Sequence, residues 1–238
     1  MFDYDEDEEQ ISVLVIGANG RTGKQVIKKF AKHDTKPKVY GFCRDPTKLP
    51  MEYKKLCTMV YRGDACNADD IEYALNESNV NVIVVTIGNG DSLHKTTVRT
   101  ETAKCIVSVL QQPQYEHIKV LVVSSNGAGG SRIDVGMFGI GKVLEMALRN
   151  VLQDHDGQEV AFRSKLLDRT VIVRPTALVD NYPTGKVVQF GDLQKQPSMN
   201  TDRDDLADWI VEEVCGGGGG GGGTRLFGNK IANISSVQ

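Results

Sequence analysis

No apolar run in the chain approaches the ~18 residues that span a bilayer, and residues 1–10 carry six acidic side chains where a signal or transit peptide would be basic. Neither a membrane-embedded nor an exported protein is expected, and residues 1–10 read as an acidic, disordered tail. Positive charge is not in excess, with 28 Lys and Arg against 31 Asp and Glu. The net charge is −3, so no basic face for nucleic acid is expected. Cysteine is sparse and unpatterned: Cys43, Cys57, Cys66, Cys105 and Cys215 are odd in number and lack metal-ligand spacing. That argues against a disulfide framework and for reduced thiols in the cytoplasm. His33, His94, His117 and His155 stand at no suggestive spacing from a serine or cysteine, although His94 falls near the expected active edge as a weak proton-donor candidate. No His/Cys/Asp cluster suggests a metal.

Glycine is abundant, and its placement is informative. In residues 11–26, ISVLVIGANGRTGKQV, an apolar run from Ile11 to Ile16 breaks at Gly17, and Gly20 and Gly23 follow before a helical pattern begins. Strand, glycine turn and helix in that order build an anion site. The backbone can approach a phosphate closely, and the helix presents free N–H groups and the positive end of its dipole. The spacing is G-x-x-G-x-x-G, where the commoner dinucleotide fingerprint is G-x-G-x-x-G.

Apolar periodicity predicts strands at 11–16, 38–43, 58–62, 80–87, 117–123 and 170–174, with short ones at 186–190 and 225–227. Helices are expected at 21–33, 47–56, from Asn67 or Asp69 through Leu75, at 94–111 and at 142–152. After a break at Asp154-His155-Asp156-Gly157, a further helical piece runs to Asp168, and another runs from Thr201 or Asp202 to Val214. The glycine-rich stretch 126–141 reads as a lid or binding loop, the eight glycines at 216–223 as a flexible connector, and the residues after 227 as a polar tail. This alternation predicts the α/β class. A Rossmann-type doubly wound parallel sheet is expected in a single domain over residues 11–235, with small C-terminal substrate-side elements. The turns at 17–23, 44–46, 63–65, 86–91, 124–130 and 175–180 then share the carboxyl edge of the sheet, where ligands bind.

In a dinucleotide-binding sheet the second strand usually ends in an acid that bonds the ribose 2′-hydroxyl. Here it ends in Arg44, whose paired N–H donors suit a 2′-phosphate. Arg21, inside the glycine turn, adds a second positive charge. NADP(H) is therefore expected over NAD(H), a preference that reverses if Asp45 points inward and Arg44 outward. Asp64, after the third strand, is placed to accept from an adenine amino group.

These residues resemble a family, the atypical short-chain dehydrogenase/reductases. The resemblance rests on Gly-Ala-Asn-Gly-Arg-Thr-Gly at 17–23, Arg44-Asp45-Pro46, Gly63-Asp64, Val171-Ile172-Val173-Arg174-Pro175 and Asp204-Asp205-Leu206-Ala207. Within the family, Asp91 to Val98 with its paired Thr96-Thr97, and Asp180 to Gly185, look most like the biliverdin reductase B-like flavin reductases, alongside the NmrA-like proteins. The resemblance implies bound NADP(H), its diphosphate over Gly17, Asn19, Gly20, Arg21, Thr22 and Gly23, and its adenosine end near Arg44, Asp64 and Ala65. It also places Thr86, Ile87, Gly88, Ser124, Ser125, Lys142, Pro175 and Thr176 along the nicotinamide path.

A short-chain dehydrogenase carries a serine after the fifth strand, a tyrosine 13 residues on as general acid, and a lysine four further that lowers the tyrosine pKa. Counting here gives Ser125, Phe138 and Lys142. Phenylalanine has no proton to give, so ordinary carbonyl reduction is not expected. One reading is hydride transfer from NADPH to a conjugated acceptor (flavin, tetrapyrrole or quinone type), with Ser125 and Lys142 as the catalytic residues. The related flavin reductases carry a histidine where this chain has Ala177. A second reading is a non-catalytic NADP(H) sensor acting on a regulatory protein partner, as NmrA-like proteins are thought to do. Isomerase or dehydratase chemistry is a third, and no residue promotes it.

Overall fold

β1 (Ser12–Ile16) is buried along its whole length, as a strand must be when helices cover both faces of its sheet. The computed structural model describes residues 10–90, 92–136, 139–180, 183–216 and 230–237. Residues 1–9, Phe138, the expected strand at 225–227 and glycines 217–223 lie outside the described residues. After β1 come α1 (Arg21–Phe30), β2 (Lys38–Cys43), α2 (Met51–Lys54), β3 (Met59–Arg62), α3 (Ala68–Ser78), β4 (Val82–Val85) and α4 (Val98–Leu110). They are followed by β5 (Lys119–Val123), α5 (Ile140–Ala147), α6 (Arg149–Lys165), β6 (Thr170–Pro175), β7 (Ala177–Val179), β8 (Val187–Phe190), β9 (Asn200–Asp202), α7 (Arg203–Cys215) and β10 (Lys230–Ser236).

The described strands form an eight-stranded sheet ordered β3-β2-β1-β4-β5-β6-β10-β8, with β7 and β9 paired separately. Every neighbouring pair in the large sheet is parallel except β10 with β8. The two-residue period of the strands sorts the core. Val13 and Val15 face α1 and α7, among Val26, Ile27, Phe30, Leu206 and Ile210. Leu14 and Ile16 face the other layer, among Ile71, Leu75, Ile106, Leu110 and Phe162. Burying each such side chain contributes about 1.5–3 kcal/mol. This is the doubly wound α/β sheet that the alternating pattern predicts. Of the alternative caps, Asn67 starts α3 by accepting from the Asp69 amide at 3.1 Å, and Asp202 starts α7 by accepting from the Asp204 amide at 2.8 Å.

Three expectations are corrected. The polar tail contains β10, which lies inside the sheet between β6 and β8; its alternating pattern, Lys-Ile-Ala-Asn-Ile-Ser-Ser, was obscured by serine and asparagine that are themselves buried. α4 begins at Val98 rather than His94. The expected break at 154–157 is the continuous interior of α6, and the chain turns instead at Leu148.

One contact explains the last two. Thr97, at the start of α4, supplies no side-chain cap. Asp154 of α6 supplies it from across the helix pair, accepting from the Arg99 amide at 3.2 Å and the Thr100 amide at 3.0 Å. It also accepts from the Thr100 hydroxyl at 3.0 Å and pairs with the buried Arg99 guanidinium at 3.3 Å. A Cβ at Gly157 would overlap the Thr100 side chain. The Asp and Gly that resemble a helix break in sequence are what let α6 pack on α4.

His155 lies in the same contact, buried and 3.3 Å from the Gln158 side-chain oxygen. Burial first, and then the Arg99 charge, push its pKa down from 6.5 to about 3. The unfolded chain therefore binds a proton that the folded chain refuses between those two values. Stability should fall as pH drops below about 6.5, by up to about 1.4 kcal/mol per pH unit. Denaturant melts across that range should show the slope, and His155→Asn should flatten it.

Candidate functional site

The β1–α1 turn is built by contacts that exclude side chains. The Gly17 and Ala18 amides donate to the Phe42 carbonyl at 3.0 and 3.1 Å, and the Gly20 amide donates to the Gly17 carbonyl at 2.8 Å. Gly17 has φ +93°, and a Cβ there would stand 2.8 Å from the Thr86 hydroxyl oxygen. A Cβ at Gly23 would overlap the Gly17 carbonyl oxygen. Gly20 caps α1 without a side chain, and the first turn of α1 holds no acidic residue. The helix therefore presents its N-terminal amides and dipole to an anion with no carboxylate in competition.

In front of this turn lies a cavity of about 510 Å³ on the carboxyl edge of β1 to β4. Nine of the expected residues line it: Gly17, Asn19, Gly20, Arg44, Asp64, Ala65, Thr86, Ile87 and Gly88. Lys48, Val98 and Thr102 line it too, and sequence reasoning missed all three. Lys48 was legible as a cation one short turn beyond Arg44. Val98 and Thr102, four apart, share a face of α4 that only the fold turns toward the cleft.

Asp45 also lines the cavity, but its carboxylate is committed to its own turn. Oδ1 accepts from the Thr47 amide at 3.0 Å and from the Thr47 hydroxyl at 2.5 Å. These bonds hold its pKa below the ordinary carboxylate value. The Asp64 carboxylate likewise accepts from the Cys66 amide at 3.0 Å.

The remaining expected residues lie elsewhere. Thr22 is buried in the first turn of α1, and Gly23 forms the turn's floor. Arg21 Nη1 is 3.2 Å from Asp180, whose carboxylate also meets Arg203 at 2.7 Å. Ser124 donates its hydroxyl to Glu159 at 2.6 Å, inside a buried network in which Arg174 Nε and Nη2 grip the same carboxylate at 2.8 and 2.6 Å. The Ser125 hydroxyl is half-buried and donates to the Asn126 carbonyl at 3.1 Å. The Pro175 carbonyl accepts from the Asn126 amide, and the Thr176 amide donates to the Ile234 carbonyl and Thr201 hydroxyl. Lys142 is exposed and lines a second cavity that shares no lining residue with the first.

The parallel sheet, switch-point cleft and phosphate turn define a dinucleotide-binding Rossmann protein. The chain belongs to the NAD(P)H-binding family, whose model matches residues 17–214. Among solved structures it is similar to a short-chain dehydrogenase/reductase from Veillonella parvula in complex with NADP (16% identity, TM-score 0.73, covering 95% of this chain and 94% of that one). It is also similar to ChuY, an anaerobillin reductase from Escherichia coli O157:H7 (17%, TM-score 0.69, covering 94% and 97%). A curated relative, a decarboxylating sterol-4-alpha-carboxylate 3-dehydrogenase of Saccharomyces cerevisiae, is 37% identical over 79 residues, which make up 31% of this chain and 22% of that one. The chain therefore spans less than a quarter of that relative's length. Among the described residues no helix is long and apolar enough to cross a membrane, and no group of His, Cys, Asp and Glu could hold a metal ion.

Gly23→Ala should force the turn apart at a destabilisation of about 1–3 kcal/mol and abolish dinucleotide binding. Thermal melts and quenching of intrinsic fluorescence by NADPH would read the two effects separately.

Proposed function

We propose that the chain binds NADP(H) in the β1–β4 cleft and reduces a conjugated acceptor of flavin, tetrapyrrole or quinone type. The observation that carries this reading is the charge at the β2 end of the cavity, where Arg44 and Lys48 line the wall and Asp45 is held by Thr47. Arg44 and Lys48, beside an Asp45 carboxylate that is bonded into its own turn and lies 3.8 Å from the Lys48 ammonium, suit a 2′-phosphate better than a ribose hydroxyl. The cradle around Gly17 and Gly23 fits a diphosphate, with the first amides of α1 to hold it. Asp64 and Ala65 would bracket the adenosine end, and Thr86, Ile87 and Gly88 would line the wall toward the nicotinamide.

When bound, reduced nicotinamide supplies a hydride. The chain's own task is then to orient the acceptor and limit water. The tyrosine position holds Phe138, so an acceptor that spreads the arriving negative charge over a conjugated system suits this chain better than an isolated carbonyl. Ser125, just after β5, is the hydroxyl that would serve a proton transfer, by giving up its bond to the Asn126 carbonyl. The free thiols of the described cysteines support a reducing, cytoplasmic setting.

A second reading, a non-catalytic NADP(H) sensor of NmrA-like type with a regulatory protein partner, is favoured by one observation. The Ser124 hydroxyl, the Pro175 carbonyl and the Thr176 amide are all consumed by internal bonds.

NADPH oxidation with FMN, FAD, biliverdin and quinones as acceptors separates the two. Turnover with at least one is expected, whereas tight NADPH binding without turnover would leave the sensor. Arg44→Ala should weaken NADPH binding at least tenfold, the scale of a lost charge-assisted bond, and NADH binding hardly at all. Equal losses for both would refute the 2′-phosphate assignment.

A further inference from the structure

The second cavity, also about 510 Å³, is walled by Arg132, Ile133, Asp134, Gly136, Gly139, Gly141 and Lys142. We propose that it is an acceptor subsite that binds the anionic group of an apolar molecule, with Arg132, Lys142 and Lys195 as its cations. This deepens the reductase reading and rests on it for the reaction, though not for the binding.

Arg132 and Lys142 line the cavity, and the Lys195 ammonium lies across Gly136, 2.7 Å from where a Cβ would stand. Among the described residues none of these three cations has a side-chain partner. The neighbouring carboxylates among those residues bond to backbone or to other side chains, and none pairs with these cations. Asp134, which lines the cavity, accepts from the Gly136 amide at 2.8 Å, and Glu145 accepts from the Ile133 amide at 3.0 Å. Asp192 takes Arg174 at 3.1 Å and the Asn233 amide group at 2.7 Å. Three cations against the two carboxylates of the wall, Asp134 and Glu145, leave a net positive hollow, which is complementary to a carboxylate, phosphate or sulfonate.

The walls are held by backbone and buried side chains. The Arg132 amide donates to the Asp192 carbonyl, and the Gln196 amide donates to the Asp134 carbonyl, both at 2.9 Å. The buried Asn126 and Gln196 side chains bond at 2.9 Å, which ties this wall to the residue after Ser125. Two residues before Lys142 and Lys195 in sequence, Ile140 and Leu193 are 37% and 77% exposed. Exposed apolar side chains beside unpaired cations fit a molecule with an apolar body and a charged end.

The 238-residue chain can be titrated with 1-anilinonaphthalene-8-sulfonate, an apolar anion, and with N-phenyl-1-naphthylamine, its uncharged counterpart, each followed by fluorescence. The sulfonate should bind at one site, and Arg132→Gln and Lys142→Gln should each weaken it about tenfold while leaving the neutral probe unchanged. Equal affinity for both probes, or indifference of the sulfonate to both substitutions, would overturn the proposal. A second arm compares FMN with riboflavin as acceptors, which differ by one phosphate. FMN should be the better by kcat/KM, and Arg132→Gln should level the two. Sulfonate binding that follows the substitutions in a protein that turns over none of the flavin, biliverdin and quinone acceptors would sink the reductase reading and leave the anion site standing.

Discussion

The backbone contact between Gly17 and Gly23 governs the half of the molecule that holds a nucleotide. Where α1 leaves the turn, the Gly17 carbonyl occupies the space a side chain on residue 23 would need. The helix can therefore seat low against the sheet, with Val26, Ile27 and Phe30 in the core beneath it. The same approach leaves the first amides of α1 facing open space at the carboxyl edge of β1 and β4, with no acidic side chain in front of them. Anion affinity at this point follows from packing: the amides of Gly17, Ala18 and Gly20 close the turn internally, and the first-turn amides of α1 are left without intrahelical acceptors.

The other half depends on buried charge. Arg174 of β6 and Glu159 of α6 are each about 1% exposed and lock strand, helix and the loop after β5 together, with Ser124 and the Gly129 carbonyl as further partners. Burial works against the Arg174 charge, but the bonds to Glu159 and the field of Asp192 outweigh it, and its pKa rises above the ordinary guanidinium value. Removing one member of such a pair strands the other, which gives the loop a single geometry. The Asp154 cap on α4 does the same for the α4–α6 contact. The two networks fix the loop after β5 and the helices beside it, and the cations Arg132, Lys142 and Lys195, left outside them, are exposed.

How much of this was readable in advance follows from the range of each interaction. That the glycine turn, Arg44, Asp64 and the residues after β4, Thr86 to Gly88, share one cavity was legible, because the chain neighbours that position each lie within a few residues. Asp45 could not be read, because its direction depends on a bond to Thr47 that competes with the cleft. Ser124, Thr176 and Lys142 were placed by family pattern. Their sites were decided by Glu159, Thr201 and the 132–136 wall, which lie 35, 25 and at most 10 residues away in sequence. The Asp-His-Asp-Gly run at 154–157 has the composition of a helix break and became helix, because Thr100 and Arg99 on another helix supplied partners no local rule could supply.

By itself the sequence determined the parallel α/β layering, through apolar runs alternating with helical periodicity, and the nucleotide turn, through three glycines whose missing side chains permit close approach. Both are local or periodic properties, encoded residue by residue. Only the tertiary structure decided that β10 belongs inside the sheet, that Lys48, Val98 and Thr102 complete the cleft, and that Lys142 faces a cavity of its own beside Arg132. Those outcomes depend on which distant segments compete for the same hydrogen bonds and the same space, and that competition takes place in three dimensions.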